Sequence, residues 1–252
     1  EDRLSRLSGR EAELGLLKSL SQEAEGGHGH SVVISGEAGI GKSRLTDEFQ
    51  SYLTNRGWII HTGQSYSHTS GNPFAPWIAV LNSLFGLTPS DSATARSEKV
   101  LNSIGQLKPD MLEMAPLLNT LLALAIPLND IIGSFDDETR RQQLFGLVTE
   151  LLRATADKTP VTVLIEDIHW VDHSSAQLMK HLATNLSSSR FLMCLTRRPH
   201  PEVKLDLPTD STSVITLGEL SEQQALRLVL TVLERAELPP HVATVILSKG
   251  RG

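Results

Sequence analysis

Ser35-Gly36-Glu37-Ala38-Gly39-Ile40-Gly41-Lys42-Ser43 follows the apolar run Val32-Val33-Ile34 and opens an amphipathic stretch carrying Leu45, Phe49, Tyr52 and Leu53. The order is strand, glycine-rich loop, helix, at the spacing G-x-x-x-x-G-K-S. Gly36, Gly39 and Gly41 let the backbone turn tightly and aim its N–H groups inward. The helix that follows turns its positive end to the same place. Such a loop cradles phosphates. Glu37, Ala38 and Ile40 complete it, and Arg44 follows on the first helical turn. Lys42 reaches the outer phosphates and the Ser43 hydroxyl sits on Mg²⁺, which makes ATP with Mg²⁺ the expected ligand. The competing reading is an ordinary glycine-rich turn, and the flanking strand and helix count against it.

On either side of this stretch, strands and helices alternate. Residues 10–24 read as a helix with Leu14, Leu17 and Leu20 on one side, and Gly26-Gly27-His28-Gly29-His30 as a flexible joint. His28 and His30 lack Cys or carboxylate partners at ligand spacing, so no structural metal is expected there. Further strands are expected at 58–63, 161–165, 191–195 and 214–217, and helices at 78–85, 141–155 and 174–185. Residues 86–140 look helical and loop-rich, with 90–97 a polar connector and 111–126 a buried or partner-facing helix. Ser221-Glu222-Gln223-Gln224 is a capping box opening a helix with Ala225, Leu228, Val229, Val232 and Leu233. Pro239-Pro240 starts another, which Gly250 would stop. The alternation predicts an α/β fold, a parallel sheet covered on both faces, with the phosphate loop at the C-terminal ends of the strands.

The second half of the site is Val161-Thr162-Val163-Leu164-Ile165-Glu166-Asp167, an apolar strand ending in two acids. A nucleotidase of this type needs a carboxylate to hold Mg²⁺ and one to orient or deprotonate the attacking water. By position Glu166 is the Mg²⁺-side acid and Asp167 the water-side acid. The commoner order has Asp first, so the roles could be exchanged. Thr196-Arg197-Arg198 follows the next strand, where Arg197 could reach a γ-phosphate and report on ATP against ADP. His169, Trp170 and Asp172 would brace the loop after the acids or contact the nucleotide.

Composition sets limits. The chain has 252 residues and a net charge of −6, with no Lys/Arg run, so direct nucleic-acid binding by this segment is not expected. The single cysteine, Cys194, lies in an apolar run and reads as a small buried hydrophobe. One cysteine forms no intramolecular disulfide, which suits a reducing cytoplasm. No signal peptide is apparent. The most membrane-like stretch, 111–126, is short and interrupted by Glu113, Pro116 and Asn119, so no membrane partner is expected.

Together these blocks resemble the AAA-like ATPase module of the STAND class of signalling NTPases. More narrowly, the chain is similar to the module of large LuxR-type transcription regulators and of class III adenylate/guanylate cyclases with an ATPase segment and TPR repeats. The matching text is Gly9-Arg10-Glu11-Ala12-Glu13-Leu14, residues 36–45, Asn72-Pro73-Phe74-Ala75-Pro76-Trp77, Pro116-Leu117-Leu118-Asn119-Thr120-Leu121-Leu122, Ile165-Glu166-Asp167-Ile168-His169-Trp170-Val171-Asp172, Thr196-Arg197-Arg198-Pro199 and Leu217-Gly218-Glu219-Leu220-Ser221. The resemblance implies a three-layer P-loop NTPase sandwich with five parallel strands. It places Gly9, Arg10 and Glu11 by the adenine, and makes Arg197 the phosphate-sensing arginine. It also implies a core over 1–218 with a helical insertion at about 86–140, and the start of a helical lid over 219–252. The family's next block falls about where the chain stops, so a fragment of a multidomain parent is expected, with part of the lid and the output domain outside it. The implied partners are ATP and ADP, the parent's own sensor and output domains, and copies of the chain in nucleotide-dependent self-association.

The reading that follows is an ATP-binding, slowly hydrolysing cytoplasmic switch. A turnover-driven ATPase or kinase-type enzyme would need a second substrate site or a track, and neither is visible. A nucleotide-free interaction scaffold would not need Lys42 and Ser43.

Overall fold

The phosphate-loop strand is β1 (His30–Ser35), and α2 (Lys42–Asn55) leaves the loop that follows it. The computed structural model describes residues 9–67, 72–199, 205–221 and 223–225. Before β1 comes α1 (Glu11–Glu25); after α2 come β2 (Ile59–Gln64) and α3 (Ala75–Leu84). The middle of the chain is α4 (Ala93–Leu107), a 3-10 stretch Pro109–Leu118, and the short helices α5 (Asn119–Leu122) and α6 (Asp130–Gly133). The last described part runs α7 (Asp137–Lys158), β3 (Val161–Glu166), α8 (His173–Asn185), β4 (Phe191–Arg197) and β5 (Thr212–Thr216).

The five strands form one sheet in the order β2-β3-β4-β1-β5. Every pairing is parallel, with Val33 opposite Leu195 and Val214, and Ile165 opposite Gly63 and Leu195. Parallel neighbours require crossovers, and the helices supply them. This is the α/β fold with a covered parallel sheet that the alternation predicts, in the five-stranded, three-layer P-loop NTPase form that the resemblance implies. β4 lies between β1 and β3, so its end at Thr196-Arg197 sits between the phosphate loop and the two acids.

Strand alternation divides the core in two. Val32, Ile34, Leu164, Leu192 and Cys194 face one side, where Leu14, Leu17 and Leu20 of α1 and Leu45, Phe49 and Leu53 of α2 cover them. Val33, Val161, Val163, Ile165, Met193 and Leu195 face the other, under α3, α7 and α8, with the helical insertion beyond.

Two expectations need correction. The stretch 90–97 is not a connector throughout: Ser92 caps α4 by accepting the Ala95 N–H at 3.2 Å, and helix begins at Ala93. The stretch 111–126 is not one helix. It is the end of the 3-10 stretch, with Pro116 inside it, followed by α5 and a loop, because proline cannot donate the bond an α-helix needs. The capping box is present: the Ser221 N–H donates to Gln224 Oε1 at 2.8 Å and the Gln224 N–H to Ser221 Oγ at 3.3 Å. The helix expected beyond it with Leu228, Val229, Val232 and Leu233, the Pro239-Pro240 helix and its Gly250 stop lie outside the described residues. No helix among the described residues is long and apolar enough to cross a membrane.

Candidate functional site

β1 ends at Ser35, whose carbonyl accepts the Leu217 N–H at 2.7 Å, while the Gly36 N–H donates to the Arg197 carbonyl at 3.2 Å. The loop is thus pinned to both neighbouring strands before it turns. Gly36 has no room for a side chain: a Cβ there would come within 2.7 Å of Ile40 and 3.1 Å of Leu217. Gly41 caps α2 at φ 101, a left-handed conformation that costs other L-residues energy. Glu37, Ala38, Gly39 and Ser43 are exposed, and Ile40 and Arg44 half-buried, so the cradle opens to solvent along its rim.

Lys42 is the exception. It is 9% exposed, and its Nζ donates to the carbonyls of Gly36 at 2.7 Å and Glu37 at 2.8 Å. Burial lowers its pKa, while the negative charges of Asp167, Glu37 and Glu166 hold the proton on. A charged ammonium kept from water by the loop's own carbonyls is poised for a stronger acceptor, and a phosphate is one.

The two acids diverge. Glu166 turns toward α2, where Thr46 Oγ1 donates to it at 3.3 Å and to the Ser43 carbonyl at 2.9 Å. One hydroxyl therefore links Ser43, on the first turn of α2, to the acid at the end of β3. Desolvation raises the Glu166 pKa, and the hydrogen bond from Thr46 pulls against that rise. Asp167 turns the other way, accepting Gln64 Nε2 at 3.4 Å, with His169 Nδ1 at 3.9 Å from its Oδ1. Ser43 and Glu166 on the α2 side offer hard oxygen ligands of the kind Mg²⁺ takes, with nucleotide phosphates and water left to complete the shell. The set therefore fits the cation.

Arg197 closes β4, half-buried, with its carbonyl tied to Gly36; Arg198 is exposed. Asp172 does not point at the cradle. It caps α8, accepting the Ser175 N–H at 2.9 Å and the Ser175 hydroxyl at 2.5 Å. The His169 ring lies against Trp170 at a tilt of 44°, with ring centroids 5.0 Å apart, and its Nδ1 accepts the Arg198 N–H at 3.5 Å, which braces the loop. Cys194 is fully buried, and burial pushes its thiol up to about 12, so it is no nucleophile at neutral pH.

Gly9 and Arg10 reach the site from below. Arg10 is 6% exposed; its guanidinium donates to the Ile40 carbonyl of the loop at 3.3 Å, to the Gly218 carbonyl after β5 and to Glu13 at 3.0 Å. The Gly9 carbonyl accepts Gln224 Nε2 at 2.9 Å. This segment ties the phosphate loop to the exit from β5 and to the capping box.

Thr46, Gln64, Thr196 and Gln224 are site residues that the sequence reading missed. Thr46 was within reach, since a hydroxyl one helical turn after Ser43 lies on the same face. The others needed the strand order.

A family model described as the AAA ATPase domain matches residues 6–195. An uncharacterized protein of Rhizobium meliloti (strain 1021) is 25% identical over 205 residues, covering 77% of this chain and 18% of its own length. The chain therefore spans less than a fifth of that relative. The E. coli MS115-1 HORMA:CdnC:Trip13 complex contains a chain with TM-score 0.52 and 11% identity, covering 98% of this chain and 75% of that one. A chain of the Drosophila ORC bound to DNA has TM-score 0.51 and 14% identity, covering 95% of this chain and 49% of that one. At such identities these two likenesses speak for the fold. The family model, matched across the phosphate loop, both acids and most of β4, speaks for more: the chain belongs to the AAA ATPase domain family.

Proposed function

We propose that this chain is the ATP-binding, slowly hydrolysing switch module of a multidomain cytoplasmic regulator. ATP with Mg²⁺ binds at residues 36–43, with Ser43 and Glu166 on the metal, Asp167 on the attacking water and Arg197 at the γ-phosphate. Residues 1–218 are the core and 219–252 the start of a helical lid. The output, a DNA-binding or cyclase domain, and the sensor lie elsewhere in the parent, and nucleotide state biases how core and lid sit, and whether copies associate. The observation that carries this reading is Lys42: a buried ammonium held by two loop carbonyls, within the field of both acids. Gly9 and Arg10 serve nucleotide binding indirectly, by holding the loop, since the Arg10 guanidinium is engaged by protein acceptors.

The test is titration of ATP and ADP with Mg²⁺ against the purified chain and its Lys42→Ala variant. The expected loss of affinity is at least about a hundredfold, the scale of a charge-assisted phosphate contact removed from a partly buried site. A folded wild-type chain that binds neither nucleotide would favour the scaffold reading. Rapid steady-state turnover would favour the turnover-driven enzyme.

A further inference from the structure

β2 is an outermost strand of the sheet, with β3 on one side and no strand on the other among the described residues. The Ile59 N–H donates to the Pro160 carbonyl at 3.0 Å and the Ser65 N–H to the Glu166 carbonyl at 3.0 Å. The odd positions of this strand therefore turn their backbone groups toward β3. Those groups alternate along a strand, so Ile60, Thr62 and Gln64 turn theirs outward. Among the described residues the N–H and C=O of Ile60 and Thr62 have no backbone partner. A row of such groups is a template for another strand.

The space and the chemistry beside the row suit one. A cleft of about 550 Å³ runs along this edge, lined by Ile60 and Thr62 and, on the flank of α2, by Gln50, Ser51, Thr54 and Asn55. None of these side chains is charged. Sheet edges are usually guarded by Lys, Pro or a bulge. Ile59–Gln64 has no Lys and no Pro, and its register with β3 runs without a bulge. Its one ionisable residue, His61, is 4% exposed, and burial lowers its pKa to about 4, so it is neutral at pH 7.

An uncharged edge with a donor and an acceptor at every second residue is complementary to itself. A two-fold axis at Thr62 sets Thr62 opposite Thr62 and Ile60 opposite Gln64, an antiparallel pair whose opposed residues exchange N–H and C=O bonds. No like charges meet along it, and paired threonines are favourable across strands. The same axis turns the uncharged flank of α2 toward its own copy.

We propose that β2 is a dimer edge, through which two copies of this chain join their five-stranded sheets into one. Such a contact is isologous and closes at two copies. Ile60 and Thr62 lie outside the phosphate loop, so the pairing needs no nucleotide. It differs in place and trigger from the nucleotide-dependent association of the proposed function, and stands or falls separately from it.

The experiment is sedimentation velocity without nucleotide, from about 1 µM to about 100 µM, on the wild type, Thr62→Lys and Thr62→Val. Amide hydrogen exchange of Ile60 and Thr62 is read at both ends of that range. Thr62 is exposed, so both variants should keep the wild-type unfolding midpoint and ATP affinity, which controls for folding. The wild type should pass from monomer to dimer, with both amides exchanging at least about tenfold more slowly when dimeric. Thr62→Lys opposes two ammonium groups at the axis and should raise the dimer dissociation constant at least about tenfold. Thr62→Val keeps a good strand residue and should stay within about threefold of wild type. A wild type that remains monomeric at the top of the range would overturn the proposal. So would a Thr62→Lys chain that dimerises as well as wild type, or a dimer whose Ile60 and Thr62 amides are unprotected, since the contact would then lie elsewhere. Assembly beyond two copies would mean head-to-tail stacking of sheets and would also overturn it.

Discussion

The two faces of the sheet are built to different standards. Beneath α1 and α2 lies a thin layer: Leu14, Leu17, Leu20, Leu45, Phe49 and Leu53 against Val32, Ile34, Leu164, Leu192 and Cys194. On the other face, α7 and α8 are backed by α3 and the whole helical insertion, and the cluster runs from Val33 through Trp77, Ile104, Leu118 and Leu151 to Leu195. The phosphate loop feeds α2, on the thin side. The elements that meet nucleotide rest on this thinner apolar layer and add polar ties to it, while the larger apolar cluster secures the opposite layer. Lys42, Thr46 and Arg10 add hydrogen bonds on the thin side, where Leu147, Val148, Leu151 and Leu152 deepen the apolar packing on the other.

The sharpest way to break this comparison is a matched pair of truncations. Phe49 and Leu151 are both 0% exposed. Phe49→Ala should cost about 3–5 kcal/mol and Leu151→Ala about 2–5 kcal/mol in denaturant unfolding. Only Phe49→Ala should also weaken ATP, since it lies under the helix that presents Ser43. Affinity for ATP in the Leu151→Ala chain should stay within about twofold of wild type once both chains are compared while folded. A Leu151→Ala chain that loses affinity as badly as Phe49→Ala would mean that the two faces are not separable.

The thick face and the thin face were not equally legible. The stretch 35–43 is read from the sequence because strand, loop and helix are contiguous and each residue's job follows from its place in the loop. The acids of β3 are read the same way. What the sequence hides depends on strand order, which local periodicity does not encode. Gln64 meets Asp167 and Thr196 meets the Asp167 N–H only because β2, β3 and β4 are neighbours. In the insertion, the first turn of α4 passed for a connector because its buried position Ser97 is polar. Its hydroxyl accepts the Ala125 N–H at 2.9 Å, which satisfies it inside the core. Arg10 was visible as part of a motif, yet the carbonyl acceptors that fix its role lie 30 and 208 positions away.

Arg10 offers a second, smaller test of the claim that polar ties add to the hold on the thin face. Removing its guanidinium leaves the Ile40 and Gly218 carbonyls without that donor and Glu13 without its ion pair. Arg10→Ala should lower stability by about 2–3 kcal/mol, the scale of stranded buried polar groups, and weaken ATP because Ile40 belongs to the loop. Arg10→Lys should rescue little, since one ammonium lacks the planar fork that spans separate acceptors. Full stability in Arg10→Lys, read from denaturant midpoints, would show that charge alone suffices and that the loop is not clamped through this side chain.

The smallest effect should come from Glu166, and its sign is the informative part. Desolvation holds this carboxyl above its ordinary value near 4.5. The native state thus binds the proton more tightly than the unfolded chain does, and the wild type loses stability as pH rises from that ordinary value through the raised one. Glutamine never ionises and escapes the penalty. Without nucleotide, Glu166→Gln should therefore melt higher than wild type at pH 7 and at the same temperature near pH 4. Solvent screens a half-exposed group, so the gap in Tm should stay below about 3 °C, under about 1 kcal/mol for a domain of this size. The same variant should bind Mg²⁺ poorly, since a neutral amide replaces an anionic oxygen. Stability and function would then pull apart at one residue, as expected where an acid is kept partly dry to meet a cation. If Glu166→Gln melted lower than wild type at pH 7, the Thr46 hydrogen bond would outweigh desolvation, and the acid would belong to the polar ties that hold α2 on the thin face.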